Sequence, residues 1–370
     1  MRSRIAWCLS GLAIVGVVFG PAVVAQESEI RRTASGHPDL SGTYDVSTLT
    51  PMERPVELGD KMFLTDEEAA EIAAQEQART EERNAASDPN RDAPPAGGDG
   101  SPGAAGNVGG YNSFWIDRGT GAFQIAGEWR TSILVDPPNG RYPPFTAERQ
   151  AANQAARRAT QGADFRRSND GTAFWLEAGL ETPGPYDNME QRPYGERCLV
   201  GFGSTGGPPM MPVLYNNHKR IVQTDDVVLI HVEMNHEARI IRMNAEHDPP
   251  EFQKWLGDSI GHWEDDTLVV ETVNFPDRPS FTRGSRHMKV TERFSVLDED
   301  TLLYAFTVED PTVWTAPFSG EYVWPRSNNK VFEYACHEGN YALEGIMKGA
   351  RLLEAEFRGE EPEGVPNPTR

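Results

Sequence analysis

A chain of 370 residues with 56 Asp and Glu against 35 Lys and Arg carries a formal charge of −21. A field of that sign repels phosphate backbones and anionic lipid, so nucleic-acid binding and a membrane-surface role are disfavoured. The 35 glycines and 28 prolines favour turn-rich β structure over a helical bundle, and a chain this long can still bury a sizeable core.

The N-terminus reads as an export signal. Arg2 and Arg4 precede an apolar run from Leu9 to Phe19, and Val23-Val24-Ala25 places small residues before a cleavage point at Gln26. The apolar run is too short for a comfortable membrane span, so the expectation is a periplasmic or secreted protein with residues 1–25 removed and no stable membrane anchor. Of the three cysteines, Cys8 leaves with the signal. Cys198 and Cys336 remain as a single pair, expected to form a disulfide in an oxidising compartment.

Residues 26–64 form a leader and first strand, with His37 to Tyr44 punctuated by Pro-Asp and Ser-Gly. Thr65-Asp-Glu-Glu68 is a capping box that predicts a surface helix to about Arg83. Residues 85–110, rich in Ala, Gly, Pro, Asn and Asp, lack the apolar surface to order themselves and read as a flexible insertion. A β-rich domain follows over 111–353, packing with 38–64. It begins with apolar alternation at Tyr111–Asp117 and Ala122–Val135, a turn at Pro137–Gly140, and a second helix capped by Thr146 and running to about Thr160.

Gly201-Phe-Gly-Ser-Thr-Gly206 matches a dinucleotide-binding glycine pattern literally. Gly207-Pro208-Pro209 forbids the helix that such a site needs, so the segment reads as a rigid loop. From Val213 the chain reads as an antiparallel meander. Candidate strands are Arg220–Gln223, Val227–Met234, Arg239–Asn244, Leu268–Val273, Val290–Leu297, Leu302–Val308, Glu321–Trp324 and Val331–Cys336, several joined by short acidic or Asn turns. Curling into a barrel removes the exposed edges of so many strands, so the expected fold is mainly β and barrel-like with two peripheral helices. A two-sheet sandwich is the alternative. The tail 354–370, acidic and proline-bearing, reads as disordered.

Four histidines lie between Ile221 and Phe275. In Val227–Met234 the even positions are apolar, while the odd ones place His231 and Glu233 on one face. If that face turns inward, a His–carboxylate pair enters a cavity, suited to proton transfer or metal ligation; if not, both are ordinary solvent-side residues. His262 and Glu264 bracket Trp263 and form a second such pair, equally consistent with a turn whose indole packs on the core. The His231, Glu233, His236 spacing is not that of a helical metalloprotease site, and a divalent metal held across strands stays open. Glu292 shares a face with Val290, Phe294 and Val296, where a carboxylate is paired, lines a wet cavity, or sits at an edge. Glu292, Trp263 and His337 are therefore candidate pocket residues.

Pro38-Asp-Leu-Ser-Gly42, Val135-Asp-Pro-Pro-Asn-Gly140, Glu196-Arg-Cys-Leu199, Gly257-Asp-Ser-Ile-Gly-His-Trp-Glu264, Thr267-Leu-Val-Val-Glu271 and Tyr334-Ala-Cys-His-Glu-Gly339 resemble a group of exported bacterial proteins with lipocalin-like hairpin patterning. The resemblance implies export and β architecture and brings no activity with it. Three functions follow as expectations. One is a protein that binds a small polar or aromatic molecule at a barrel mouth. Another is a hydrolase or lyase working through His231 with Glu233 or His262 with Glu264, and the third is a structural envelope protein.

Overall fold

Alternation from Val213 onward becomes a single curled sheet. The computed structural model describes residues 30–84, 90, 116–161, 172–177, 179, 184–277, 279, 281 and 283–360. The export signal, nearly all of the 85–110 insertion, and residues 361–370 lie outside the described residues.

The strands in chain order are β1 (Gly42–Asp45), β2 (Phe63–Leu64), β3 (Gln124–Ile125), β4 (Glu128–Arg130), β5 (Leu134–Asp136), β6 (His218–Gln223), β7 (Val227–Val232), β8 (Ala238–Met243), β9 (Asp258–Glu264), β10 (Thr267–Val273), β11 (Lys289–Asp298), β12 (Thr301–Glu309) and β13 (Phe318–Pro325). Ten of them form one sheet in the order β1-β6-β7-β8-β9-β10-β11-β12-β13-β5, and β2, β4 and β3 make a small second sheet. The large sheet curls into a half-barrel. Tyr44 of β1 bridges Arg326 just past β13, and the Ser327 N–H donates to the Thr43 carbonyl at 2.8 Å.

The inner face is packed with large side chains. Tyr44, Phe294, Tyr304, Tyr322 and Trp324 are fully buried, alongside Ile230, Ile241, Val270 and Val290. Tyr304 contacts Phe294, Tyr322 and Trp324 with ring centroids 5.1, 5.5 and 4.9 Å away. Such aromatic pairs add to the burial of apolar area that drives the curl. Along β7 the even residues Val228, Ile230 and Val232 are the buried ones, so the inward face is the apolar one.

The meander has one break. β8 and β9 pair in parallel, Ile241 beside Ser259 and Met243 beside Gly261. Residues 244–257 carry the chain back, a return of about the dozen residues that a parallel pair needs. The sequence leaves Gly257 to Glu264 out of the candidate strands and allows a turn at His262–Glu264; the segment holds strand β9. Gly261 is the reason. A Cβ there would stand 2.9 Å from Ile241 Cγ2 and 3.0 Å from Met243 Sδ, so the glycine permits close approach and is not a breaker. Conversely, Val331–Cys336 is not a strand. Its amides are spent on side chains: Phe332 N–H donates to Glu233 Oε1 at 3.0 Å and Tyr334 N–H to His236 Nε2 at 2.9 Å.

Helix α1 (Asp66–Arg83) starts on the expected capping box, with Glu68 N–H donating to Thr65 Oγ1 and Thr65 N–H to the Glu68 carboxylate. Helix α2 (Ala147–Gln161) is capped by Thr146. A short turn of helix, α3 (Phe174–Glu177), packs with α4 (Tyr341–Arg358), which crosses the boundary set at 354 by composition. Glu354 is buried there and accepts from Trp175 Nε1 at 3.1 Å and from Arg351 at 2.7 Å, so those partners, with the buried Ala355, hold the helix beyond that boundary. No described helix is long and apolar enough to cross a membrane.

Cys198 and Cys336 are bonded, with Cα atoms 5.8 Å apart across a sequence separation of 138. The bond ties the loop before β6 to the segment before α4. Replacing both cysteines by serine is expected to lower the unfolding free energy by about 2–4 kcal/mol in a denaturant titration, mostly by releasing the unfolded chain.

Candidate functional site

The starts of β6, β8 and β9 and the end of β7 meet at one end of the half-barrel, under the glycine-rich loop 201–212. That loop is buried over most of its length, from Ser204 to Met211. Met210 is clamped between two core tyrosines, its N–H donating to Tyr304 Oη at 2.8 Å and its carbonyl accepting from Tyr322 Oη at 2.9 Å. The loop is thus a plug.

Two ionisable side chains grip the plug. Lys219 is fully buried and donates to Thr205 Oγ1 at 2.6 Å. Burial pushes its pKa down to about 7, against the opposing pull of Glu237, Glu233 and Asp45. Glu237 accepts from the Gly201 N–H at 2.6 Å through Oε1. Among the described residues no donor reaches Oε2, which lies where a Cβ at Gly206 would have to stand. Burial raises this carboxyl to about 7, with Gly201 and Lys219 opposing. A side chain at 206 would displace the Glu237 carboxylate from this position, which is the physical content of that part of the glycine pattern.

Below the plug sits a buried ion pair. Arg239 on β8 reaches Glu292 on β11 through Nη1 at 2.8 Å and through a second, shorter contact from Nη2. Arg239 also donates to Ser259 at 3.1 Å and to Thr272 at 2.9 Å, while Tyr304 donates to Glu292 at 2.7 Å. Glu292 is therefore paired, one of the outcomes its face allows, and the ion pair is enclosed within the packed interior. Arg239 was legible by the same argument: it shares its face with Ile241 and Met243, a cation on an apolar stripe matching the carboxylate on β11.

The other candidate residues are dispersed. His231 lies on the half-buried outer face of β7, its ring 6.0 Å from that of His236. Glu233 follows the end of β7 in helical backbone, so it leaves the His231 face. It is buried and faces His218 Nδ1 at 3.3 Å. Burial raises the Glu233 pKa, but His218 and the Phe332 N–H outweigh it and hold the carboxyl below its usual range. His231 and Glu233 do not form a pair. His262 and Glu264 do meet, at 3.3 Å, on the solvent side, where Arg293 also holds Glu264 at 2.8 Å. Trp263 packs partly on the core and stacks on His37 with centroids 4.6 Å apart. His337 is exposed. Among the described residues no three His, Cys, Asp or Glu side chains stand together as a metal site.

Open space lies outside the sheet, flanking the plug. One cavity of about 500 Å³ is lined by Arg192, Tyr194, Glu196, Val200, Phe202 and Pro279 among others. A second, of about 490 Å³, is lined by Leu199, Glu237, Ile240, Lys254, Trp255 and Asp258 among others. The Tyr194 and Trp255 rings, one from each lining, meet edge-on with centroids 4.7 Å apart. Phe202, Ile240 and Trp255 are each about half exposed. Arg192 and Glu196 pair through two bonds of 2.8 and 3.0 Å at the first cavity. At the second, burial raises the Asp258 pKa, but Lys254, the Asp248 N–H and His247 overcome it and hold the carboxyl far below its usual range. Neither aromatic stands out in the sequence, because Tyr194 and Trp255 lie 61 positions apart in loops without periodicity. A scan against protein-family models and a search of curated proteins find no match to the chain.

Proposed function

We propose that the protein is exported and binds a small, ring-bearing, uncharged molecule in the paired cavities beside the glycine-rich plug. The observation that carries this reading is the Tyr194–Trp255 pair: two aromatic rings at the junction of two cavities near 500 Å³, with Trp255 44% exposed. Large apolar surface left open beside fixed polar groups is the usual composition of a ligand site. The flat face of an indole suits a sugar or a phenol. The chain's formal charge of −21 argues against an anionic ligand, and Arg192, Lys254 and Arg242 are each already engaged by carboxylates. Export is supported by the N-terminal signal pattern and by the disulfide. The fuller reading of the fold, a closed lipocalin-like barrel, rests on the Tyr44–Arg326 bridge between the two flanks of the sheet.

Isothermal titration against a panel of neutral disaccharides and phenols tests the proposal. At least one member is expected to bind the wild-type protein saturably. Trp255→Ala is expected to weaken that ligand at least about tenfold, or 1.4 kcal/mol, without lowering the melting temperature. Saturable binding that Trp255→Ala leaves unchanged would count against the site.

A further inference from the structure

We propose that Ser327, His218 and Glu233 form a serine–histidine–glutamate triad that hydrolyses neutral or cationic carboxylic esters. The three residues are 109 and 15 positions apart in sequence and come from three elements. His218 opens β6, Glu233 follows β7, and Ser327 lies on the turn after β13. His218 Nε2 is 3.2 Å from Ser327 Oγ, and His218 Nδ1 is 3.3 Å from Glu233 Oε2.

Donor accounting sets the tautomer. An ionised carboxylate only accepts, so the imidazole proton sits on Nδ1, facing Glu233, and Nε2 is left to accept from the serine hydroxyl. Each member is held by other bonds. Glu233 Oε1 accepts from the Phe332 N–H at 3.0 Å, and the Glu233 N–H donates to the His218 carbonyl at 3.0 Å. Ser327 is fixed by its own N–H on the Thr43 carbonyl at 2.8 Å and by the Asn329 N–H, which donates to Oγ at 3.1 Å. With that lone pair taken, the hydroxyl proton is free to point at His218. Glu233, with help from Asp45 and Asp117 and against burial, raises the His218 pKa, which favours the imidazolium that forms when the serine is deprotonated.

His218 is nearly buried, whereas Ser327 is half-buried, so the nucleophile is the member that substrate meets first. Asp45 and Asp117, both close enough to act on His218, line a cleft of about 690 Å³ together with Asp66, Trp129, Val323 and Pro325 among others. Asp45 sits opposite His218 in the β1–β6 register. Three carboxylates around this cleft repel acids and phosphate esters, which sets the substrate class as neutral or cationic. In the reaction Ser327 Oγ adds to the ester carbonyl carbon as its proton passes to His218 Nε2. The bond to the alcohol oxygen then breaks, and the alcohol leaves with that proton. Water repeats the sequence on the acyl-serine, returning the free acid and the serine hydroxyl. The Asn328 N–H, next in the chain after the nucleophile, is the donor assigned to the developing oxyanion.

The test uses the full secreted chain. The wild-type protein is expected to release p-nitrophenolate from p-nitrophenyl acetate above the buffer rate. A fluorophosphonate probe is expected to add covalently to the Ser327 peptide, identified by mass spectrometry. Ser327→Ala should cut the enzymatic rate at least about 100-fold and abolish labelling, with an unchanged melting curve showing that the fold survives. Glu233→Gln should lower kcat more than KM and slow labelling of Ser327. The proposal is overturned if the probe labels no serine or a different one, or if Ser327→Ala hydrolyses the ester at the wild-type rate.

Discussion

Glu292→Leu is expected to destabilise the protein by about 3–5 kcal/mol. The substitution leaves the Arg239 guanidinium, itself 2% exposed, without the carboxylate that takes two of its hydrogen bonds. It also removes the acceptor for Tyr304 Oη. An uncompensated buried cation cannot shed its proton, because an arginine stays charged at any accessible pH. Arg239→Met alone should cost a similar amount by stranding the carboxylate, although that group can protonate and recover part of the loss. The double variant Arg239→Met, Glu292→Leu is the informative one. Two apolar side chains of comparable volume are expected to restore most of the stability, because a buried ion pair contributes little net energy over a well-packed apolar pair. Denaturant midpoints of the three variants form the double-mutant cycle, and a coupling energy near zero would remove the network from the account. Tyr304 also accepts from the Met210 N–H, so Glu292→Leu should loosen the plug as well, read as faster hydrogen exchange at residues 204–211.

The second large effect is a dependence of stability on pH with a minimum near neutrality. Glu237 is raised from 4.5 to about 7, so between those values the native protein holds a proton that the unfolded chain has lost. Its contribution is complete below pH 4.5 and is lost as pH rises to 7. Lys219 is lowered from 10.5 to about 7, so over that interval the unfolded chain holds a proton that the native protein has lost. Its contribution is complete above 10.5 and is lost as pH falls to 7. Each limb amounts to a few kcal/mol. Glu233 and Asp258 have lowered pKa values and act only on the acid side, where their stabilisation is lost as pH falls below the ordinary carboxylate range. Chemical denaturation from pH 5 to 10 should show the minimum in the wild-type protein. Glu237→Gln should flatten the acid limb and Lys219→Met the alkaline limb. Parallel curves for all three proteins would mean that neither group is buried in solution.

The strands were legible where alternation was backed by a partner. β7 and β11 show their apolar faces in sequence, and both faces turn inward as strongly buried surfaces. The capping box at Thr65 worked because its two hydrogen bonds are local and need nothing from the rest of the fold. β9 was hidden by Gly261, whose role is set by side chains of β8 that sequence cannot place beside it. The Val331–Cys336 alternation misled because the segment's amides are taken by Glu233 and His236, contacts across about a hundred residues.

The site residues were the least legible. A strand face explains Glu292, but its meaning depended on Arg239, 53 positions away. The His231–Glu233 pairing failed for a local reason, the helical backbone at Glu233 that turns the carboxylate toward His218. His218 and Ser327 carried no signal at all, since neither lies in a recognisable spacing. The Tyr194–Trp255 junction is built from two loops, and loops give no period to read.

The proposed ligand site beside the plug is tested most directly by the tryptophan indole resonances in a ¹H–¹⁵N spectrum. On titration with the neutral disaccharides and phenols, the Trp255 indole is expected to shift saturably while Trp314 and Trp324, buried in the core, stay still. A saturable shift of Trp314 or Trp324 with Trp255 unmoved would place the ligand in the interior and contradict the account.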